Sequence, residues 1–227
     1  MKIQGLQKMT LLDFPGKIAC TVFLGGCNFR CPYCHNGSLA IGEGDEVMSR
    51  EELLSFLGAR RGRLEGVCIS GGEPTIHSDL PELISQIKDL GFAVKLDTNG
   101  TNPEMLTSLI NDGLLDYVAM DIKNSPEMYE DTVVINSSLI DNVWMSAEIL
   151  MGGRVDFEFR TTLMRELHGE EEMHAIGRWL SGDEKFFLQT YRDEGDLLVG
   201  GFTPYTREET EGLLAVLREY IPKAKMR

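Results

Sequence analysis

The chain has 227 residues, with 22 Lys and Arg against 36 Asp and Glu, a net charge of -14 and a pI of about 4.7. That balance excludes the broad basic face that nucleic acid or an anionic membrane demands of a partner. No apolar run approaches the roughly 20 residues that span a bilayer, and MKIQGLQKM lacks the apolar core of a signal peptide, so a cytoplasmic protein is expected.

Apolar β-type runs alternate with capped amphipathic runs, the pattern of βα units on a parallel sheet. Strands are expected at Ile18 to Leu24, Gly66 to Ser70, Ala93 to Asp97, Asp116 to Ile122, Val155 to Met164 and Lys185 to Tyr191. Between them lie helices with legible ends. Ser49 and Glu52 form a capping box, and Asp79 is expected to cap a run whose Leu80, Leu83, Ile84 and Ile87 share one face before Gly91 stops it. Asn102 and Pro103 open a third helix that Gly113 closes, and further helices are expected at Ser137 to Met151, at Glu170 to Leu180 and from Thr206, with Glu209 three residues on. Six such units predict one α/β domain over residues 1–227, a single-domain (β/α)6 partial barrel with a curved parallel sheet and helices outside. Ligands then belong at the carboxyl ends of the strands.

The densest chemical signal is GCNFRCPYCHN, where Cys27, Cys31 and Cys34 have CxxxCxxC spacing. Three thiolates can hold a four-iron four-sulfur cluster by three of its irons and leave the fourth open for chemistry. Zinc also takes thiolates, but a closed zinc site wants four ligands in two short-spaced pairs, and no second Cys pair exists. A disulfide strands one thiol, and three Cys around Pro32 are poor core packing. Cys20 and Cys68 sit in apolar strands and read as core residues. His35 adjoins Cys34 and reads as a hydrogen-bond donor behind the ligands; His168 and His174 lie in a Glu-rich segment and are expected to face solvent.

Three further motifs, SGGEP (Ser70 to Pro74), DTNG (Asp97 to Gly100) and MDIK (Met120 to Lys123), fall at the carboxyl ends of successive strands, on the rim that carries the cysteine loop. Gly71 and Gly72 leave the backbone unobstructed, and Glu73 offers a carboxylate to an ammonium group. Asp97 and Asn99 also have a plain turn reading, since Asn-Gly is a strong turn dipeptide. Lys123 and Arg160 are cations near strand ends, either solvated or set against a ligand carboxylate.

With Tyr33 before the third cysteine, these motifs make the chain resemble the radical S-adenosylmethionine enzymes, and within them the activating enzymes of glycyl radical proteins. QKMTLLDFPGKIACTVFLGGC is most similar to the short branch of anaerobic ribonucleoside-triphosphate reductase activating proteins. The likeness covers roughly residues 3 to 163 and thins at QTYRDEG, near Gln189 to Gly195. It implies one four-iron four-sulfur cluster on Cys27, Cys31 and Cys34, and S-adenosylmethionine beside Tyr33, Gly71, Gly72, Glu73, Asp97, Asn99, Lys123 and Arg160. It also implies a monovalent cation near Asp97, Thr98 and Asp121. The implied reaction is reductive cleavage of the cofactor with an electron from flavodoxin or ferredoxin, followed by hydrogen abstraction from a glycine Cα of a partner glycyl radical enzyme, with Asp13 facing that partner on the rim. Two other readings stay open: a relative acting on a small molecule, as 7-carboxy-7-deazaguanine synthases do, and a non-catalytic iron-sulfur protein. Residues 36 to 70 contain only Cys68, so one cluster is the ceiling.

Overall fold

The structure is a computed structural model that describes residues 1–134, 139–183, 185–193 and 196–227. All six expected strands are present, as β2 (Ala19–Leu24), β3 (Gly66–Gly71), β4 (Ala93–Thr98), β5 (Tyr117–Asp121), β6 (Asp156–Leu163) and β7 (Phe186–Thr190). Two edge strands join them, β1 (Ile3–Thr10) and β8 (Lys225–Met226), and the eight lie in sequence order. Only β1 is antiparallel to its neighbour; every pairing from β2 to β8 is parallel. The expected partial barrel is therefore correct, and the sequence pattern missed its two borders. In β1 the register slips between Ile3 and Gly5 and again between Gln7 and Thr10, which erases the alternation that marks a strand. β8 has only two residues.

Helices cross from each strand to the next: α1 (Gly37–Ile41) and α2 (Arg50–Gly58) after β2, α3 (Leu80–Asp89) after β3 and α4 (Pro103–Asn111) after β4. After β5 come α5 (Tyr129–Val133) and α6 (Ile140–Met151), then α7 (Glu170–Trp179) after β6 and α8 (Arg207–Leu217) after β7. The capping boxes at Ser49 and Thr206 form as expected, and Asn102 accepts from the Met105 N–H. Asp79 behaves differently: its side chain caps nothing and instead pairs with the Met1 ammonium at 3.2 Å. The expected start of the fourth helix at Ser137 lies outside the described residues.

Period-2 alternation divides each strand between two environments. Cys20, Val22 and Leu24, Val67 and Ile69, Val94 and Leu96, and Val118 and Met120 pack outward with the helices, where Leu80, Leu83, Ile84 and Ile87 of α3 are fully buried; Cys68 is fully buried too, on the opposite face. The concave face takes the remaining positions. Thr21 pairs in register with Cys68, Cys68 with Lys95, Asp97 with Ala119, and Asp121 with Arg160, so these residues look onto one surface inside the curve.

Candidate functional site

The cysteine loop leaves the carboxyl end of β2 and is pinned from both sides. Its start is held by α1, through Gly26 N–H to Leu39 O at 2.7 Å and Cys27 N–H to Ala40 O at 3.0 Å. Its end is held by the distant residues 192 and 196–199: His35 Nε2 donates to Arg192 O at 2.5 Å, Gly37 N–H to Asp196 O at 2.7 Å, Leu198 N–H to Cys34 O at 3.3 Å and Val199 N–H to Pro32 O at 3.0 Å. Asp196 Oδ2 also accepts from the Ser38 N–H at 2.7 Å. Tyr33 is buried with its ring edge-on to Phe202. His35 thus donates to backbone, as its place beside Cys34 suggested.

The tip of SGGEP explains its own glycines. Gly71 has φ +115°, and a Cβ there meets Leu24 O at 2.3 Å; a Cβ on Gly72 meets Gly26 O at 2.0 Å. The pair therefore lets the β3 turn press against the end of β2 and the cysteine loop, backbone on backbone, while both glycines still border the cleft. Glu73 differs from its expected role. It is fully buried, does not border the cleft, and accepts from Thr75 N–H at 3.0 Å, Thr75 Oγ1 at 2.5 Å, Thr98 Oγ1 at 2.8 Å and Asn99 N–H at 2.6 Å. Burial raises its pKa even against those four donors. Its carboxylate ties SGGEP to DTNG instead of reaching out to an ammonium. Asn99 continues the tie, with Nδ2 donating to Asn28 Oδ1 at 2.9 Å, and Asn28 Nδ2 donating to Thr101 Oγ1 at 2.7 Å.

These motifs surround one open cleft with about 1020 Å³ of empty space, including the part open to solvent, which is ample for a cofactor-sized ligand. Cys27, Cys31 and Cys34 border it together with Tyr33, Gly71, Gly72, Asp97, Thr98, Asn99, Asp121, Lys123 and Arg160. Its floor is an ion-pair ladder across three strands. Arg160 donates to Asp121 Oδ1 at 2.9 Å and sits 3.5 Å from Asp97 Oδ2, Lys123 Nζ donates to Asp121 Oδ2 at 2.9 Å, and Lys95 pairs with Asp97 from below. Burial works to raise both carboxyl pKa values, and the neighbouring cations overcome it and hold Asp97 and Asp121 low.

Asp13 is the one proposed residue that the fold keeps off this rim. It lies in the connection from β1 to β2, at the amino end of β2, and its Oδ2 accepts from Thr21 Oγ1 at 2.5 Å on the concave face. Sequence reasoning also misplaced His168, which is 2% exposed. Its Nδ1 accepts from Met164 N–H at 3.3 Å, so Nε2–H donates to Lys123 O at 2.9 Å. Tyr129 grips the same peptide, its hydroxyl accepting from Lys123 N–H at 3.2 Å. His174 is half-buried and meets the Tyr220 hydroxyl at 3.1 Å. Lys95, Asn28 and residues 192 and 196–200 were missed outright. Of these only Lys95 left a signal, a lone charge in the apolar strand AVKLD.

The donor set fits the implied cluster. Burial pushes the Cys27 thiol up to about 12, with Glu73 adding to the shift, and Cys31 up to about 11. Burial opposes the thiolate form at both, and the positive charge of a bound metal would supply what ionisation needs there. Among the described residues, no three His, Cys, Asp or Glu converge on a single-ion site. Cys27, Cys31 and Cys34 all border the same cleft, where three thiolates would hold a multi-iron group.

Comparison with known proteins agrees with this chemistry. A Methanocaldococcus jannaschii protein named as a glycyl-radical enzyme activating enzyme, MJ1227, is 32% identical over 83% of this chain and 79% of its own. A Sulfolobus acidocaldarius protein named as a GTP 3',8-cyclase is 32% identical over 48% of this chain and 36% of the cyclase. Streptococcus suis SuiB bound to S-adenosylmethionine has the same fold over 91% of this chain, with a TM-score of 0.68 and 14% identity, and this chain spans 51% of SuiB. Residues 21–174, which hold the cysteine loop and all three rim motifs, match the Radical SAM superfamily, and the chain belongs to that superfamily of enzymes.

Proposed function

We propose that this enzyme activates a glycyl radical enzyme by taking a hydrogen atom from a glycine Cα of its partner, and that the partner is an anaerobic ribonucleoside-triphosphate reductase. The observation that carries this reading is the likeness to MJ1227, which covers most of both chains, whereas the likeness to the cyclase covers less than half of each. When bound, the iron-sulfur cluster and S-adenosylmethionine supply the electron and the hydrogen-abstracting radical, with flavodoxin or ferredoxin as the source of the electron.

The chain's own residues bind, orient and exclude water. Cys27, Cys31 and Cys34 hold the cluster, and residues 192 and 196–200 fix their loop. Arg160 and Lys123 turn cationic groups toward the cleft, where they suit the cofactor's carboxylate. Tyr33 and Phe29 cover the inner side of the loop with apolar surface. Asp13 lies off the cleft rim, at the amino end of β2 beside the exposed Leu11 and Leu12, so the contact assigned to it is with the body of the partner and not with the glycine at the cleft. No described helix is long and apolar enough to cross a membrane.

The test is anaerobic. Reconstituted protein, S-adenosylmethionine and a reductant are incubated with the co-encoded glycyl radical enzyme, and electron paramagnetic resonance is expected to detect a glycyl radical doublet. Asp13→Ala is expected to lose the doublet while retaining partner-free release of 5'-deoxyadenosine. Absence of a doublet with wild-type protein, together with turnover of a small substrate, replaces this reading by the small-molecule one.

A further inference from the structure

The likeness to glycyl radical activators implies a free monovalent cation at Asp97, Thr98 and Asp121, and in the structure each of those groups is already engaged. Asp97 Oδ1 is taken by the Lys95 ammonium and Oδ2 faces Arg160 Nη1 at 3.5 Å. Asp121 Oδ1 accepts from Arg160 and Oδ2 from Lys123, each at 2.9 Å. The Thr98 hydroxyl donates to Glu73 and accepts from the Gly100 N–H at 3.1 Å. A hard monovalent ion needs several oxygen ligands, and every expected one is engaged.

Charge arithmetic gives the same answer. Lys95, Arg160 and Lys123 set three positive charges against the two carboxylates, so the ladder already carries an excess of one. A further cation is repelled here in a setting where screening by water is weak. Lys95 is the unusual member. It rises from the concave face of β4, its side chain is 1% exposed, and its Nζ lies 3.7 Å from Cys68 Sγ. Asp97 is its ion-pair partner.

We infer that the Lys95 ammonium is a built-in replacement for the free monovalent cation, neutralising Asp97 from beneath the cofactor cleft. This chain therefore needs no potassium or sodium at the site, and removing the ammonium creates a requirement that wild type lacks. The excess positive charge left on Arg160 and Lys123 then faces the cleft, where it complements an anionic ligand group.

The experiment reads stability and ligand binding, so its outcome does not depend on which partner the enzyme activates. Thermal midpoints of anaerobically reconstituted protein are measured at constant ionic strength while tetramethylammonium, too bulky for the site, is exchanged for potassium or sodium. Wild type is expected to give the same midpoint throughout. Lys95→Met is expected to melt lower in tetramethylammonium and to recover by about 2 to 4 °C, saturably, as potassium or sodium is added. The double variant Lys95→Met with Asp97→Asn is expected not to recover, because the carboxylate that attracts the ion is gone. Calorimetry of S-adenosylmethionine on wild type is expected to give one affinity in all three salts. A saturable rise of the wild-type midpoint, or tighter wild-type cofactor binding in potassium or sodium, overturns the inference. So does a folded Lys95→Met protein indifferent to the cation. Should Lys95→Met fail to fold, the two wild-type measurements decide alone.

Discussion

The two faces of the same parallel strands follow opposite rules. On the helix side, Val67, Ile69, Val94, Leu96, Val118 and Met120 are all fully buried apolar residues. On the concave side, often one residue away along the same strand, stand Lys95, Asp97, Asp121 and Arg160. The first face gains free energy by leaving water, roughly 1.5–3 kcal/mol for each large side chain. The second keeps charges out of water only because they neutralise one another, an arrangement of little net stability but high sensitivity to losing a member. Strand alternation thus separates what holds the molecule together from what performs its chemistry, and substitutions on the two faces are expected to fail differently.

The largest expected effect belongs to the rim. Replacing any of Cys27, Cys31 or Cys34 by Ala should abolish iron loading with little change in thermal midpoint, whereas Cys20→Ala and Cys68→Ala should load iron and melt earlier. Iron analysis beside a melting curve distinguishes them, and stoichiometric zinc without iron in the anaerobically purified wild type would sink the cluster assignment. On the helix side, Ile84→Ala in α3 should cost about 2–5 kcal/mol in a denaturant titration while leaving iron content per folded molecule unchanged. Glu73→Ala crosses between the two behaviours. It leaves the buried donors of Thr75, Thr98 and Asn99 without their acceptor, an expected loss of ~1–3 kcal/mol per group left unpaired. S-adenosylmethionine affinity should fall with it, because SGGEP and DTNG come apart.

His168 gives the smallest effect and the sharpest sign. Burial lowers its pKa from 6.5, so in the folded state the ring stays neutral where the unfolded chain takes up a proton. Stability from this group is therefore complete above about pH 6.5 and is lost as pH falls below it toward the folded value. Denaturant midpoints at about pH 7.5 and 5.5 should differ in wild type, with His77, also lowered by burial, contributing to the slope. In His168→Gln the difference should shrink. An unchanged slope would mean that the ring takes up its proton equally in the folded and unfolded states.

What could be read beforehand followed the same division. Six strands were legible because each is buried on its outer face and bounded by caps and turns, and the rim motifs were legible because they sit where β-to-α turns must be. β1 was hidden by two register shifts, and β8 by its length. The roles of Glu73 and His168 were misjudged for one reason. A polar residue in a polar stretch of sequence looks solvated or ligand-facing, and only the packing of β4 and β5 against their neighbours reveals that these two hold backbone turns. Asp13 was placed on the rim because it precedes the cysteine loop by only 14 residues, although a whole strand carries the chain across the sheet between them.

The bonds from residues 192 and 196–200 to the cysteine loop carry a consequence for how the enzyme is made. Cys27, Cys31 and Cys34 leave the ribosome early, yet the carbonyls of Pro32 and Cys34 and the N–H groups of Gly37 and Ser38 find their partners only after Leu198 and Val199 have been synthesised. At ~5–20 residues per second, the thiols spend about ten seconds or more in an unfinished loop before the last βα unit closes over it. Metal insertion into the finished geometry is thus an event of the completed chain, and a truncation before residue 192 should yield a sheet with its six central strands largely encoded but a loop that cannot hold its iron.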